Sequence, residues 1–177
     1  MEQLNKKKSF KQNSGNLILA ILFFISLSSA IWGTNIYRLT IIKPSYLYSV
    51  GAFGGLLFNL TLSFLVKTSY SKVWNIFIKF CIGAGISYFG LLYLNQKFAD
   101  KEVLTDKFKI IRTGTLARGK SGSCLQPFVI INFNGEEKQL VFYCNLENII
   151  EIYSHVTLTY SKGLFGFEVI KSKYLNE

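Results

Sequence analysis

Three stretches of the chain are long enough and apolar enough to cross a lipid bilayer as helices. They cover about residues 17–36, 46–66 and 73–94. The hydrocarbon core of a bilayer takes roughly 20 consecutive apolar residues of helix, and none of these stretches has the charged face of a surface helix. The chain offers no amphipathic helices that could cover them in water. The sequence therefore predicts an integral membrane protein with three transmembrane helices, whose first partner is the lipid bilayer.

The excess of basic residues is concentrated around these stretches. Residues 1–96 carry +8 of the total net charge of +10, and residues 97–177 are nearly neutral. Lysine beside an apolar span serves orientation and headgroup contact. We therefore divide the chain into a basic N-terminus (1–16), a transmembrane region (17–96) and a C-terminal domain in water (97–177).

The first span has a second interpretation, and its flanks bear on orientation. Lysines at 6–8, an apolar run and Ala30 after two serines are also typical of a cleaved signal peptide. Because the apolar character continues past Ala30, we expect an uncleaved anchor. Four basic residues precede this span and two follow it, which favours a cytoplasmic N-terminus. We expect the C-terminal domain on the periplasmic or extracellular side of a bacterial inner (cytoplasmic) membrane.

Small residues recur at a spacing of four on the second and third spans. Gly51 and Gly55 form a GxxxG motif, and Gly83 and Ser87 repeat the spacing. Small residues let helix backbones approach closely in lipid, so we expect the second span to pack on the third. A contact between copies of the chain, giving a homo-oligomer, is the alternative. Asn59, near mid-membrane, should face another helix rather than lipid.

The C-terminal domain has the alternating pattern of β-strands. Asn134-Gly135 is typical of a two-residue hairpin turn, and a short helix is predicted to begin at Asn145. The strands are predicted at residues 107–117, 127–133, 137–144, 155–161 and 164–171. Because the helix falls between the third and fourth strands, this order predicts a small all-β barrel that is OB-like, with an SH3-like barrel as the alternative.

Cys124 and Cys144 lie at the ends, away from the turn, of the two strands that the Asn134-Gly135 turn joins. A three-residue turn would pair them directly, and a two-residue turn would set them one residue out of register. Either arrangement brings the two thiols within reach of a disulfide. We expect the bond if the domain lies outside the cytoplasm, and two free thiols if it lies in a reducing compartment.

Basic residues gather around the loop between the first two predicted strands. Arg112, Arg118 and Lys120 form a candidate binding loop. Contact with anionic headgroups and simple solvation are the alternatives for these side chains. Because the domain is nearly neutral and is predicted outside the cytoplasm, we do not expect nucleic acid as a partner.

The C-terminal domain offers few residues for catalysis. His155 is the single histidine of the chain, and the two aspartates, Asp100 and Asp106, fall in the predicted connector. The cysteines and the histidine lack the spacing of a zinc site, and no glycine-rich loop opens a helix. We predict no catalytic residues, no metal, no cofactor and no enzymatic activity.

Together these features predict a small membrane protein that presents an extracytoplasmic β-barrel to a protein or envelope component. It would act as an accessory subunit of a membrane complex. A membrane-located immunity protein that protects against a toxin is one alternative. A membrane enzyme of unidentified chemistry is the other.

Overall fold

The computed structural model describes residues 2–68, 70–116, 125–146 and 149–176, and for residues 2–13 it describes the backbone alone. Two compact units result. The helical unit contains the chain up to Asn35 and Pro44–Tyr93, and the barrel unit contains Ile36–Lys43 and Leu94–Glu177. The barrel unit therefore includes a connector between the first two helices, in addition to the C-terminal part of the chain.

The helical unit is built from three long helices, α1 (Glu2–Leu39), α2 (Pro44–Leu65) and α3 (Lys72–Lys97). Each contains a stretch long and apolar enough to cross a membrane, as the sequence predicted. Helix α1 begins well before its apolar part because no glycine or proline interrupts residues 2–14. Helix α2 begins at Pro44, where the fixed proline φ suits the first helical turn. Leu19, Leu62 and Ile82 form the buried centre of this unit.

The barrel unit contains six antiparallel strands in one nearly closed, barrel-like sheet. The strands are β1 (Thr40–Ile41), β2 (Leu104–Leu116), β3 (Gln126–Phe133), β4 (Glu136–Val141), β5 (His155–Lys162) and β6 (Glu168–Asn176). Their order in the sheet is β1-β6-β5-β2-β3-β4. Long β2 pairs with β5 through its first half and with β3 through its second, with a register shift between Ile110 and Arg112. A bulge at this point bends the strand and lets the sheet curl.

The barrel core consists of inward-facing side chains from all six strands and the turns after β4. Val129, Ile131, Val156 and Leu158 are fully buried at its centre. Alternate residues of β3 and β5 carry these side chains because successive residues of a strand face opposite sides.

The β3–β4 hairpin adopts the two-residue turn. Phe133 pairs with Glu136, and the φ angles of Asn134 and Gly135 are 52° and 89°. Both central residues of a type I′ turn require positive φ, which Asn and Gly adopt most readily. The Gly135 amide also donates to Asn132 Oδ1 at 2.7 Å.

Several features of the barrel unit differ from the sequence prediction. In the described part of the segment predicted as one short helix, the structure has two 3-10 turns, Cys144–Leu146 and Ile150–Ile152. The last strand begins at Glu168 rather than at residue 164, since residues 163–167 form a turn closed by a bond from Gly163 N to Phe167 O. Strand β1 was not predicted. Asp106 lies in β2, not in a connector.

Candidate functional site

The sheet does not close through backbone hydrogen bonds between its edge strands, β1 and β4. We call this gap the seam, and Lys138 of β4 bridges it. Its Nζ donates to the carbonyl oxygens of Tyr37 at 2.9 Å and Thr40 at 2.6 Å. Nζ also lies 4.6 Å from the centroid of the Tyr37 ring. One lysine thus ties the edge of the barrel to the end of α1.

Lys138 occupies this position because of strand alternation. It lies two residues before the buried Leu140 and therefore faces inward, with only 8% of its surface exposed. The last carbonyls of a helix lack partners within the helix and carry partial negative charge. Thr40 Oγ1 donates to Ile36 O at 3.0 Å, and Lys138 reaches Tyr37 O. The buried ammonium therefore acts as a C-terminal cap for α1.

Two more cations lie around the seam, and we call Arg38, Lys138 and Lys173 the cation cluster. Lys173 of β6 donates to Val141 O, and its Nζ lies 4.8 Å from the centroid of the Phe142 ring. Burial and the nearby Lys173 charge lower the pKa of Lys138 to about 8. Burial and Arg38 lower the pKa of Lys173.

In the part of the chain that the structure describes, no carboxylate forms an ion pair with the cation cluster. An ion pair joins Lys43 Nζ to Glu136 Oε1 at 2.6 Å, at the exposed end of the seam. Like charges that repel one another without a nearby anion form a site of positive potential.

A cleft of ≈ 570 Å³ opens beside the cation cluster. Lys171 and Lys173 of β6 line it, together with Tyr143, which is 85% exposed. Its apolar lining comes from Leu39, Phe142, Leu146, Ile170 and Leu175. Its size lies within the range of ligand pockets, and an apolar wall with a few polar groups is their usual composition.

Asn95, at the end of α3, is a fully buried polar residue with a structural role. Its Nδ2 donates to Phe167 O at 3.0 Å, and its Oδ1 accepts from Phe165 N at 3.0 Å. A side chain at Gly163 would collide with this amide. Asn95 thus fixes the β5–β6 turn.

Tyr160 is buried in the barrel and donates through its hydroxyl to Asp106 Oδ2 at 2.5 Å. This hydrogen bond, with burial and the Asp106 charge, raises the pKa of Tyr160 to about 12. The phenol therefore remains protonated over the physiological range. The pair joins β2 to β5 inside the sheet, and its role is structural.

The small residues predicted for helix packing lie mainly where α2 meets α3. A side chain at Gly83 would clash with Phe58 and lie 2.5 Å from Gly54 O and 3.0 Å from Gly55 Cα, and one at Gly54 would clash with Ser87. The sequence prediction did not include Gly54. Gly51 has looser surroundings, since a Cβ there would approach only Ala84 O, at 4.0 Å.

Two polar residues of the helical unit have buried side-chain atoms. Asn59 Oδ1 is buried, and no hydrogen-bond partner for it lies in the described part of the chain. Lys79 is buried, with Nζ 3.4 Å from both Ser63 Oγ and Val66 O. It therefore reaches the C-terminal end of α2.

The predicted binding loop lies largely outside the described residues. Arg112 is exposed on β2, whereas Arg118 and Lys120 belong to the part that is not described, so the loop stays a prediction. Cys144 is disulfide-bonded, but Cys124 is outside the described residues and its pairing with Cys144 also stays a prediction. His155 Nδ1 lies 2.7 Å from Ser154 Oγ.

Sequence reasoning missed the seam and the cleft. Lys138, Leu140 and Phe142 are alternate residues and should face the same side of the strand. This alternation could have identified Lys138 as an inward-facing residue. Lys173 lies beyond the predicted end of the last strand, so no sequence signal placed it. No group of three or more His, Cys, Asp or Glu side chains suited to a metal ion occurs among the residues that the structure describes.

The seam and the cleft are interpreted from the chemistry of their own residues, because comparison with known proteins identifies no relative. The chain matches no protein-family model, no curated protein and no solved structure at a significant level.

Proposed function

We propose that the chain is a non-enzymatic integral membrane protein whose barrel binds a protein or envelope component outside the cytoplasm of a bacterium. In this role it serves as an accessory subunit of a membrane complex. The membrane part of the proposal is supported by the three helices that are long and apolar enough to cross a bilayer. Its topology is supported by the pairing of β1 with β6, in which Thr40 and Ile41 face Val169 and Glu168.

This pairing supports a membrane hairpin formed by α2 and α3. Strand β1 precedes the two helices in the chain, and β6 follows them. Paired strands must lie on the same side of a membrane, so an even number of crossings separates them. Two crossings, by α2 and α3, satisfy this condition, and their lengths suit a bilayer.

The contacts of the connector favour a cytoplasmic N-terminus. Lys43, one of the basic residues that follow the first span, is paired with Glu136, so its charge is partly neutralised within the barrel. The lysines before the first span then weigh more in the orientation. The disulfide of Cys144 favours the same answer, because disulfides persist in oxidising compartments.

The barrel has the features of a binding domain of the OB-like type. Its second strand is long, bent and shared by both halves of the sheet, and helical turns connect β4 to β5. These features favour an OB-like barrel over an SH3-like one. Buried polar groups such as Lys138, Asn95 and Tyr160 hold the fold together, while the cleft presents Tyr143, Lys171 and Lys173 for binding.

Reporter fusions test the orientation. Alkaline phosphatase, which folds only outside the cytoplasm, should be active when fused after Glu177 and inactive when fused after Lys67, between α2 and α3. A fluorescent protein that folds in the cytoplasm should give the opposite result at the two positions. Phosphatase activity at Lys67 alone, or release of the full chain by alkaline carbonate without detergent, would refute the proposal.

Crosslinking in living cells tests the binding role. A photoreactive residue in place of Tyr143 should yield an adduct of one defined mass. The matched position is Leu104, which is exposed on β2 and does not line the cleft. Identical adducts at both positions, or none at Tyr143, would contradict binding at the cleft.

A further inference from the structure

The cleft lies at the end of an apolar helix. Leu39 is the last residue of α1 and of its apolar stretch, Ser14–Leu39, and it also lines the cleft. The end of a transmembrane helix lies at the level of the lipid headgroups. If α1 crosses the membrane, as the proposed function requires, the cleft opens at the height of phosphates and upper acyl chains.

The lining combines cationic side chains with an apolar wall. Cations are supplied by Lys171 and Lys173, with Arg38 close enough to Lys173 to affect its titration. Beside them the apolar lining includes Leu39, Phe142, Leu146, Ile170 and Leu175. Within the described residues these cations form no ion pair with a carboxylate, and an anion bound among them would offset their mutual repulsion.

The cations and the apolar wall of the cleft together distinguish three kinds of occupant. A free phosphate would pair with the lysines but leave the apolar wall in water. An uncharged lipid would cover the wall and leave the cations unpaired. An anionic phospholipid satisfies both, because its phosphodiester accepts hydrogen bonds from Lys and Arg and its acyl chain buries apolar surface. Unlike a zwitterionic lipid, it brings no headgroup cation that the lysines would repel.

We infer that the cleft binds one anionic phospholipid of the surrounding membrane. The phosphate lies among Arg38, Lys171 and Lys173, and the first part of one acyl chain covers the wall formed by Leu39 and its neighbours. This inference rests on the proposed membrane insertion and names the envelope component that the barrel binds. Lys138 does not line the cleft, but it lies close enough to Lys173 for the two charges to repel each other.

Native mass spectrometry of the full-length protein tests the inference. The protein is released from neutral detergent micelles that contain phosphatidylglycerol or phosphatidylcholine at equal concentration. We expect one retained phosphatidylglycerol per chain and little phosphatidylcholine. Lys173→Gln should lower the apparent affinity for phosphatidylglycerol about tenfold, the usual effect of losing one charge-assisted hydrogen bond.

Matched variants keep the result interpretable. Lys171→Gln removes an exposed cation from the cleft and should weaken binding even if Lys173→Gln perturbs folding. Lys107→Gln changes an exposed lysine of β2 that does not line the cleft and should leave binding unchanged. Equal retention of the two lipids, or unchanged binding in both cleft variants, would overturn the inference.

A displacement experiment distinguishes a bound lipid from a bound free anion. Millimolar inorganic phosphate should not displace the bound phosphatidylglycerol, because it cannot replace the acyl contacts. Displacement would overturn the assignment to a lipid. A chain that remains in the membrane with its barrel outside but shows no lipid preference refutes this inference alone, whereas a chain released without detergent refutes the proposed function.

Discussion

Lys138 is a cation placed inside a protein core, which is normally costly. Its two hydrogen bonds go to carbonyls at the end of α1, and bonds from a charged donor contribute about 1.5–3 kcal/mol each. The aromatic ring of Tyr37 adds a further favourable contact. The lowered pKa shows that these contacts do not fully offset burial and the Lys173 charge.

This lowered pKa predicts that barrel stability rises with pH above 8. The folded pKa of Lys138 is about 8, against 10.5 for an ordinary lysine. Between these values the unfolded chain binds more protons, so the free energy of unfolding increases with pH. From pH 7 to 9.5 we expect a gain of about 2 kcal/mol, measured as the urea midpoint of the barrel by pulse proteolysis in detergent.

Lys138→Met is the control for this prediction. It keeps the apolar stem and removes the titrating group, so most of the rise should disappear, with a remainder from Lys173, whose pKa is also lowered. Tyr160 acts in the opposite direction only above pH 10, because its pKa is raised to about 12. A pH profile that is equally steep in Lys138→Met would contradict the assignment.

At the scale of secondary-structure elements, the sequence predicted those features that neighbouring residues determine by themselves. The three apolar helices follow from composition and length, and the β3–β4 turn follows from the φ preferences of Asn134-Gly135. The start of β6 was misplaced because Asn95, far away in the chain, holds residues 163–167 as a turn. Strand β1 has two residues, too few for a detectable alternation, and only its pairing with β6 defines it.

The surroundings of two glycines predict how replacing each with alanine changes the packing of α2 against α3. Gly83→Ala places a Cβ against Phe58 and Gly54, and we expect a loss of about 1–3 kcal/mol from overpacking. Gly90→Ala, about two turns further along α3, meets no atom within 4 Å. It should be neutral or slightly stabilising, since alanine favours helix over glycine.

Thermal aggregation in detergent, followed by size-exclusion chromatography, compares the two variants. Gly83→Ala should lose its monodisperse peak at a lower temperature than the parent chain, and Gly90→Ala should match or exceed the parent. Equal behaviour of the two variants would show that the α2–α3 contact does not depend on the missing side chain.

At the scale of the whole molecule, the barrel is assembled from two separate parts of the chain. The C-terminal part supplies five strands, and residues 36–43 supply the sixth. The connector also contributes Ile41, which is 6% exposed within the barrel core, and the carbonyls that Lys138 binds. Sequence patterning placed the domain boundary at residue 97 because long-range pairing leaves no local signal.

A fragment of residues 94–177 should therefore be less stable than the same fragment with residues 36–43 joined to it by a flexible linker. Losing Ile41 and the partners of Lys138 should lower the free energy of unfolding by about 3 kcal/mol or more. Urea titration followed by far-ultraviolet circular dichroism measures the difference. A scrambled 36–43 segment is the control, and equal midpoints for native and scrambled segments would contradict the role of β1.

The pairing of Thr40 with Val169 also has a consequence for biogenesis. Residues 40 and 41 leave the ribosome early, yet their partner strand is synthesised only after α2, α3 and four further strands. During that interval the connector has no sheet to join, and the edge of the barrel stays open. The sheet is therefore completed only after the last strand has been synthesised, and until then its unpaired strand edge leaves the unfinished chain open to aggregation and proteolysis.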